Sequence, residues 1–134
     1  MSNVESGGRA TVLVCITCRA TDAVDSLAAD APRPGLILAE ATAAAAANAP
    51  GVSVQRVRCL GNCNRGLSAA IRCDNAWTYV FGGLEASRDG LTLIAGARLL
   101  AGAADGIMPW QGRPEPLKRG LIARIPPRNF QESP

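Results

Sequence analysis

Two short apolar runs, each handing the chain to a pair of cysteines, bracket an alanine-rich helical segment, and few folds satisfy that order. Ala10-Thr-Val-Leu-Val14 delivers Cys15-Ile-Thr-Cys18, and a second run from Val52 to Val57 leads into Cys59-Leu-Gly-Asn-Cys63. Residues 36–48 between them are strong helix formers, with Leu36, Ala39/Glu40, Ala43 and Ala47 at helical spacing, and Pro50-Gly51 ends the segment. The first run is apolar and β-branched on both faces, as a buried parallel strand is. A strand, a helix and a second strand let the fold bring the two pairs together across about forty residues.

The second run alternates at Val52 and Val54 and resumes one position out of phase at Val57 and Cys59, which predicts a bulge near Gln55 or Arg56. Ser68-Ala-Ala-Ile-Arg-Cys73, the turn-forming Asp74-Asn75 and Trp77-Thr-Tyr-Val-Phe81 predict an antiparallel hairpin. A last helix is predicted over about 87–101, capped by Ser87, with Leu91, Ile94, Ala95 and Leu99 as its apolar stripe. The stretch 19–35, broken by Pro32 and Pro34, reads as a loop with a helical turn near 24–29. Three segments result: a flexible leader over 1–9, one α/β domain over 10–104 with a central mixed four-stranded sheet in the order β-α-β-β-β-α, and an extended, proline-rich basic tail over 105–134.

A chain of 134 residues with 48% hydrophobic composition holds a single core. The leader lacks the apolar run of a secretory signal, and no stretch nears the ~20 apolar residues of a membrane span, so a cytoplasmic protein is expected. A net charge of +3 gives no global field for nucleic acid or membrane, and neither is expected as a partner. The positive charge is concentrated in the tail, where Arg113, Lys118, Arg119, Arg124 and Arg128 stand against Glu115 alone.

Paired cysteines in a reducing compartment are more often metal ligands or catalytic thiols than disulfides, and an odd total of five fits a disulfide framework poorly. There is no histidine, which excludes mixed Cys/His zinc sites, Rieske-type clusters and any histidine base. Four thiolates from Cys15, Cys18, Cys59 and Cys63 suit a soft metal or an iron–sulfur cluster. Gly61 and Gly66 permit the backbone turns that a wrapping loop needs. A dithiol oxidoreductase also places C-x-x-C after a strand, but its pair opens a helix that lowers the first thiol's pKa, whereas Cys18 here runs into Arg-Ala-Thr-Asp and a proline-broken loop. Cys73 shares a face with Ile71 and Ala69 and reads as a packed thiol outside the ligand set.

Together with the order of elements, Val57-Arg-Cys59-Leu-Gly-Asn-Cys63 resembles the thioredoxin-like [2Fe-2S] ferredoxins and the related small iron–sulfur subunit of NADH dehydrogenases. In that family two ligands follow the first strand and two lie in a C-x-x-x-C loop after the second, ahead of a hairpin bearing tryptophan or tyrosine. Cys59 to Cys63 and Trp77-Thr78-Tyr79 match it, and the resemblance spans roughly residues 10–102. It implies a thioredoxin-like fold, a [2Fe-2S] cluster on Cys15, Cys18, Cys59 and Cys63, and an electron carrier rather than an enzyme. Arg19 and Arg65 would then tune the potential. The first pair is wider in those relatives, and the two-residue gap here equally suits a single tetrahedral Zn2+ in a structural or metal-handling module, so that reading stays open beside the dithiol one.

The whole chain, including Gly106-Ile-Met-Pro-Trp110 and the basic tail, is similar to an uncharacterised bacterial family of small predicted metal-binding proteins found near cobalamin genes, which implies electron delivery in corrinoid metabolism as one role. A redox partner protein follows from the ferredoxin resemblance, with an acidic one docking on the tail, and a homodimer is left open. Trp77 and Tyr79 read as hairpin packing, and Trp110 as an anchor of the tail either on its own domain, the favoured reading, or on a partner.

Overall fold

The computed structural model describes residues 9–17, 33–61 and 66–128. Ala10–Cys15 forms β1, whose side chains are buried except for Thr11, as expected of a strand with a neighbour on each edge and cover above it. It is followed by α1 (Pro34–Ala46), β2 (Val52–Val57), β3 (Ala69–Cys73), β4 (Thr78–Phe81), α2 (Asp89–Ala101), a short α3 (Pro116–Arg119) and β5 (Leu121–Ile125). The strands make one mixed sheet in the order β2-β1-β3-β4-β5, with β1 and β2 parallel and every other pair antiparallel.

The sheet thus has five strands where four were expected. Leu121–Ile125, assigned to an extended tail, pairs with β4 from Thr78↔Ile125 to Phe81↔Leu121. The segment before it is docked by small-residue contacts. The position a Cβ on Gly96 would occupy is already filled by Leu117 Cδ1, with Ile71 Cδ1 3.1 Å away, so α3 settles into a notch that only glycine leaves open. Leu117 and Met108 are buried, and Met108 N donates to Tyr79 Oη at 2.9 Å.

No bulge interrupts β2. Its register to β1 runs unbroken from Ala10↔Val52 to Cys15↔Val57. The alternation slips because β2 is an edge strand: Arg56 takes the place in line with Val52 and Val54 yet is exposed, and Val57 lies on the opposite face. The β3–β4 hairpin turns through Asp74-Asn75 as expected, with Asn75 at φ 64°.

Both long helices pack on each other and on the same face of the sheet, over Val12, Val14, Ala69 and Ile71. The faces they bury differ from the expected ones. α1 buries Gly35, Leu38, Ala39 and Thr42, with Thr42 Oγ1 donating to Leu38 O at 2.6 Å, and leaves Ala43 and Ala47 exposed. A run of alanines carries no apolar contrast that could mark one side. α2 begins at Asp89 rather than Ser87, and no side chain caps it; Asp89 Oδ2 instead accepts Glu85 N at 2.7 Å. It buries Gly90, Leu93, Ile94, Gly96, Ala97 and Leu100, while Leu91, expected in the stripe, is 73% exposed. Glycine and alanine face inward because the helices touch nearly backbone to backbone: a Cβ on Gly90 would lie 2.8 Å from the carbonyl carbon of Ala41.

Residues 1–8 of the predicted leader over 1–9, and the helical turn near 24–29, lie outside the described residues. Among the described residues no helix is long and apolar enough to cross a membrane. Gly90→Ala is expected to destabilise the fold by about 1–2 kcal/mol, because overpacking costs about 1–3 kcal/mol and outweighs the up to about 1 kcal/mol alanine gains in helix propensity. Leu91→Ala should change stability by less than about 0.5 kcal/mol, as exposed positions do. Urea midpoints of the two variants decide both; a Gly90→Ala midpoint at or above that of the parent would refute the close approach.

Candidate metal centre

Cys15 is the last residue of β1, and the parallel register sets it beside Val57, the last residue of β2, so Cys59 emerges two residues further along the neighbouring strand. The two chain ends are stitched past the strands themselves: Ile16 N donates to Val57 O at 2.8 Å, and Cys15 N to Ser68 O at 3.1 Å. Strand spacing and rise then keep the Cys15 and Cys59 Cα atoms within roughly 10 Å, close enough for two ligands of one centre.

Cys15 is buried and Cys59 exposed, so the thiols bracket a site at the rim of the sheet. Cys15 Sγ donates to Arg58 O at 3.4 Å, and Thr17 Oγ1 donates to the same carbonyl while lying 3.7 Å from Cys15 Sγ. Cys59 Sγ accepts the backbone N–H of Gly61 at 3.2 Å. Gly61 reaches this geometry at φ +76°, a conformation that L side chains rarely adopt, with nothing within 4 Å of where a Cβ would project.

Three contributors here were not anticipated from the sequence. Arg33 Nη1 donates to Thr17 O at 2.9 Å, tying the start of α1 to the first cysteine loop. Arg33 is extended, at φ −70° and ψ 149°, because Pro34 disfavours the helical region for the residue before it. Thr17 lies inside the C-x-x-C motif, where a hydroxyl between two thiols carries no ligand signal of its own. The Arg58 carbonyl receives both the Cys15 and Thr17 donors, and no sequence signal marks a backbone acceptor.

Cys18 and Cys63, and with them Arg19 and Arg65, lie outside the described residues. Of the expected ligands the structure brings Cys15 and Cys59 to neighbouring strand ends, and among the described residues no group of three or more Cys, His, Asp or Glu side chains gathers for a metal. Sulfur donors at adjoining strand ends with an amide on one sulfur fit a soft metal or iron–sulfur centre.

Cys73 stands apart. It pairs with Ala10 at the far end of β1, five residues or about 17 Å from Cys15. A cavity of about 720 Å³ at that end, lined by Arg72, Cys73, Thr78 and Arg128 among others, is therefore not the cysteine-pair site. Burial, and secondarily the charge of Asp74, push the Cys73 thiol above its ordinary value of 9.0.

A family model described as "Protein of unknown function (DUF1636)" matches residues 12–127 and so takes in both cysteine pairs. Among solved structures the chain is similar to a thioredoxin-like [2Fe-2S] ferredoxin from Aquifex aeolicus, at 17% identity and a TM-score of 0.53, with 91% of this chain and 98% of that chain covered. That likeness establishes the thioredoxin-like fold. No curated protein matches.

The raised pKa of Cys73 gives an alkylation test. Its thiolate is scarce at neutral pH, so site-resolved iodoacetamide labelling should still be accelerating as the pH climbs past 9.0. The fold also holds this proton more tightly than the unfolded chain does, so the associated stability is complete below that pH and fades above it. Labelling of Cys73 that reaches its plateau near neutrality would contradict the assignment.

Proposed function

We propose that this chain, which belongs to the DUF1636 family of proteins of unknown function, is a metal-binding protein whose centre is held by Cys15, Cys18, Cys59 and Cys63, and that the centre is a [2Fe-2S] cluster serving one-electron transfer. The observation that carries the proposal is the delivery of Cys15 and Cys59 to adjacent strand ends with the Gly61 amide on the Cys59 sulfur. Similarity of fold to a protein described as a [2Fe-2S] ferredoxin supports the choice of cluster. Chain length keeps the remaining two thiols within reach: Cys18 is three residues from Cys15, at most about 11 Å, and Cys63 two from Gly61, at most about 7 Å.

A bound cluster would supply reversible one-electron chemistry whose potential follows hydrogen bonding to sulfur, nearby charge and exposure. The residues of this chain set those conditions. Gly61 N–H disperses charge on the Cys59 sulfur, burial shields Cys15, and the exposed side chains of Arg33, Arg56 and Arg58 place positive charge on this end of the sheet. Thr17 and Arg33 pin the first loop, which limits rearrangement of its sulfur donors between oxidation states.

The two-residue gap between Cys15 and Cys18 favours a second reading, a single tetrahedral Zn2+ on the same four thiolates. Elemental analysis and an electronic spectrum of anaerobically isolated protein separate the two. Iron with acid-labile sulfide and visible absorption is expected; stoichiometric zinc in a colourless protein would select the second reading, and folded protein without metal would overturn both. Cys59→Ser should lose most of the bound metal while Cys73→Ser keeps it all, and full retention in Cys59→Ser would refute the ligand set.

A further inference from the structure

Trp110 does not anchor the tail, as its sequence setting suggested; it is 60% exposed, with Ile107 beside it at 39%. Anchoring falls to Met108, Arg113 and Leu117, all buried. Arg113 is 8% exposed and has no carboxylate partner among the described residues. Its Nη2 donates to Met108 O at 2.5 Å and its Nε to Pro109 O at 3.2 Å, while the guanidinium lies between two rings, 5.5 Å from the Tyr79 centroid and 5.1 Å from that of Trp110. Lys118 Nζ stands 5.0 Å from the Trp110 centroid.

The whole loop before Arg113 is fixed. Gly106 O accepts Trp77 N at 2.9 Å, Asp105 Oδ1 accepts Ile107 N at 3.0 Å, Tyr79 Oη accepts Met108 N, and Trp110 O accepts Arg113 N at 3.2 Å. A buried guanidinium spent on holding backbone carbonyls beneath an exposed indole makes a rigid platform. Beside the indole opens a cavity of about 590 Å³ with mainly apolar walls, including Ala103, Ala104, Met108 and Pro109. An exposed aromatic on a preordered loop next to an apolar recess has the form of a binding hot spot, since little ordering entropy is lost when a partner seats on it. The charge at the indole selects the partner: the Lys118 ammonium flanks the ring, and Arg119, next to it in the chain, is exposed.

We propose that the Trp110 loop is a docking surface for an acidic segment of another protein, one that inserts an apolar side chain into the recess and sets a carboxylate against Lys118. The walls argue against nucleic acid as the occupant, because a mainly apolar recess lacks the run of cations that a phosphate backbone needs, whereas it suits an apolar side chain. The surface is independent of what the cysteines hold.

The test is an NMR titration of the full ¹⁵N-labelled chain with a synthetic peptide of repeated Glu-Glu-Leu-Glu. Saturable shifts are expected at the Trp110 indole N–H and the Lys118 amide, with binding weakened about tenfold or more in Trp110→Ala and in Lys118→Glu, both at solvent-facing sites, and weakened further by added salt. An alanine-for-leucine peptide should bind more weakly. Absence of saturable shifts at Trp110, equal binding of the alanine peptide, unchanged binding in both variants, or tighter binding of an oligothymidylate would each overturn the proposal.

Discussion

Everything at the cysteine end depends on one parallel pairing, β1 against β2 in the register Cys15↔Val57. Parallel neighbours run in the same direction, so the residues following them leave from the same edge of the sheet, and two loops distant in sequence share one place. An antiparallel pairing of the same strands would send Cys59 to the end where Cys73 lies. The crossover helix α1 makes the pairing possible, and its contact with α2 keeps α1 flat on the sheet. That contact depends in turn on Gly90, because any side chain there would run into the backbone at Ala41.

Much of this order was legible in the sequence. Strand, alanine-rich helix, strand and hairpin appear at their expected places, since continuous β-branched runs, strong helix formers and an Asp-Asn turn carry strong local signals. The helix faces were not legible. In α1 every residue after Glu40 is alanine or threonine, so hydrophobicity has no direction to point there, and in α2 the inward positions include Gly90, Gly96 and Ala97 because close approach was required there, not bulk. Leu91, the kind of residue sequence reasoning sends to the core, is left in solvent.

β5 was hidden for a different reason. Leu121-Ile-Ala-Arg-Ile125 is short, without a clean alternation, and flanked by Pro116 and Pro126-Pro127, which read as an irregular tail. An edge strand tolerates such flanks because only one of its sides must be hydrogen-bonded. Its membership in the sheet rests on long-range contacts, Leu117 in the Gly96 notch and Gly82 N on Gly120 O at 2.8 Å, which local pattern cannot reveal. At the candidate centre the same division holds: cysteine spacing announced Cys15 and Cys59, whereas the Arg58 carbonyl, Thr17 and Arg33 became visible only once two distant loops lay side by side.

The sheet order gives the molecule separate working regions. β2 and β1 present the cysteines at one edge, while Tyr79 of β4, two strands beyond β1, supports the Arg113–Trp110 stack toward the other. Two strand spacings and the offset along the strands put well over 10 Å between these regions, with a close-packed core between them. An aromatic platform built on backbone carbonyls and a buried arginine has its own support, because among the described residues its hydrogen bonds run to Tyr79 and to the backbone at Met108 and Pro109, not to the cysteine-bearing strand ends. The proposed capture of a partner and the proposed chemistry at sulfur therefore draw on different residues, so either can be altered by substitution while the other stands as its own control.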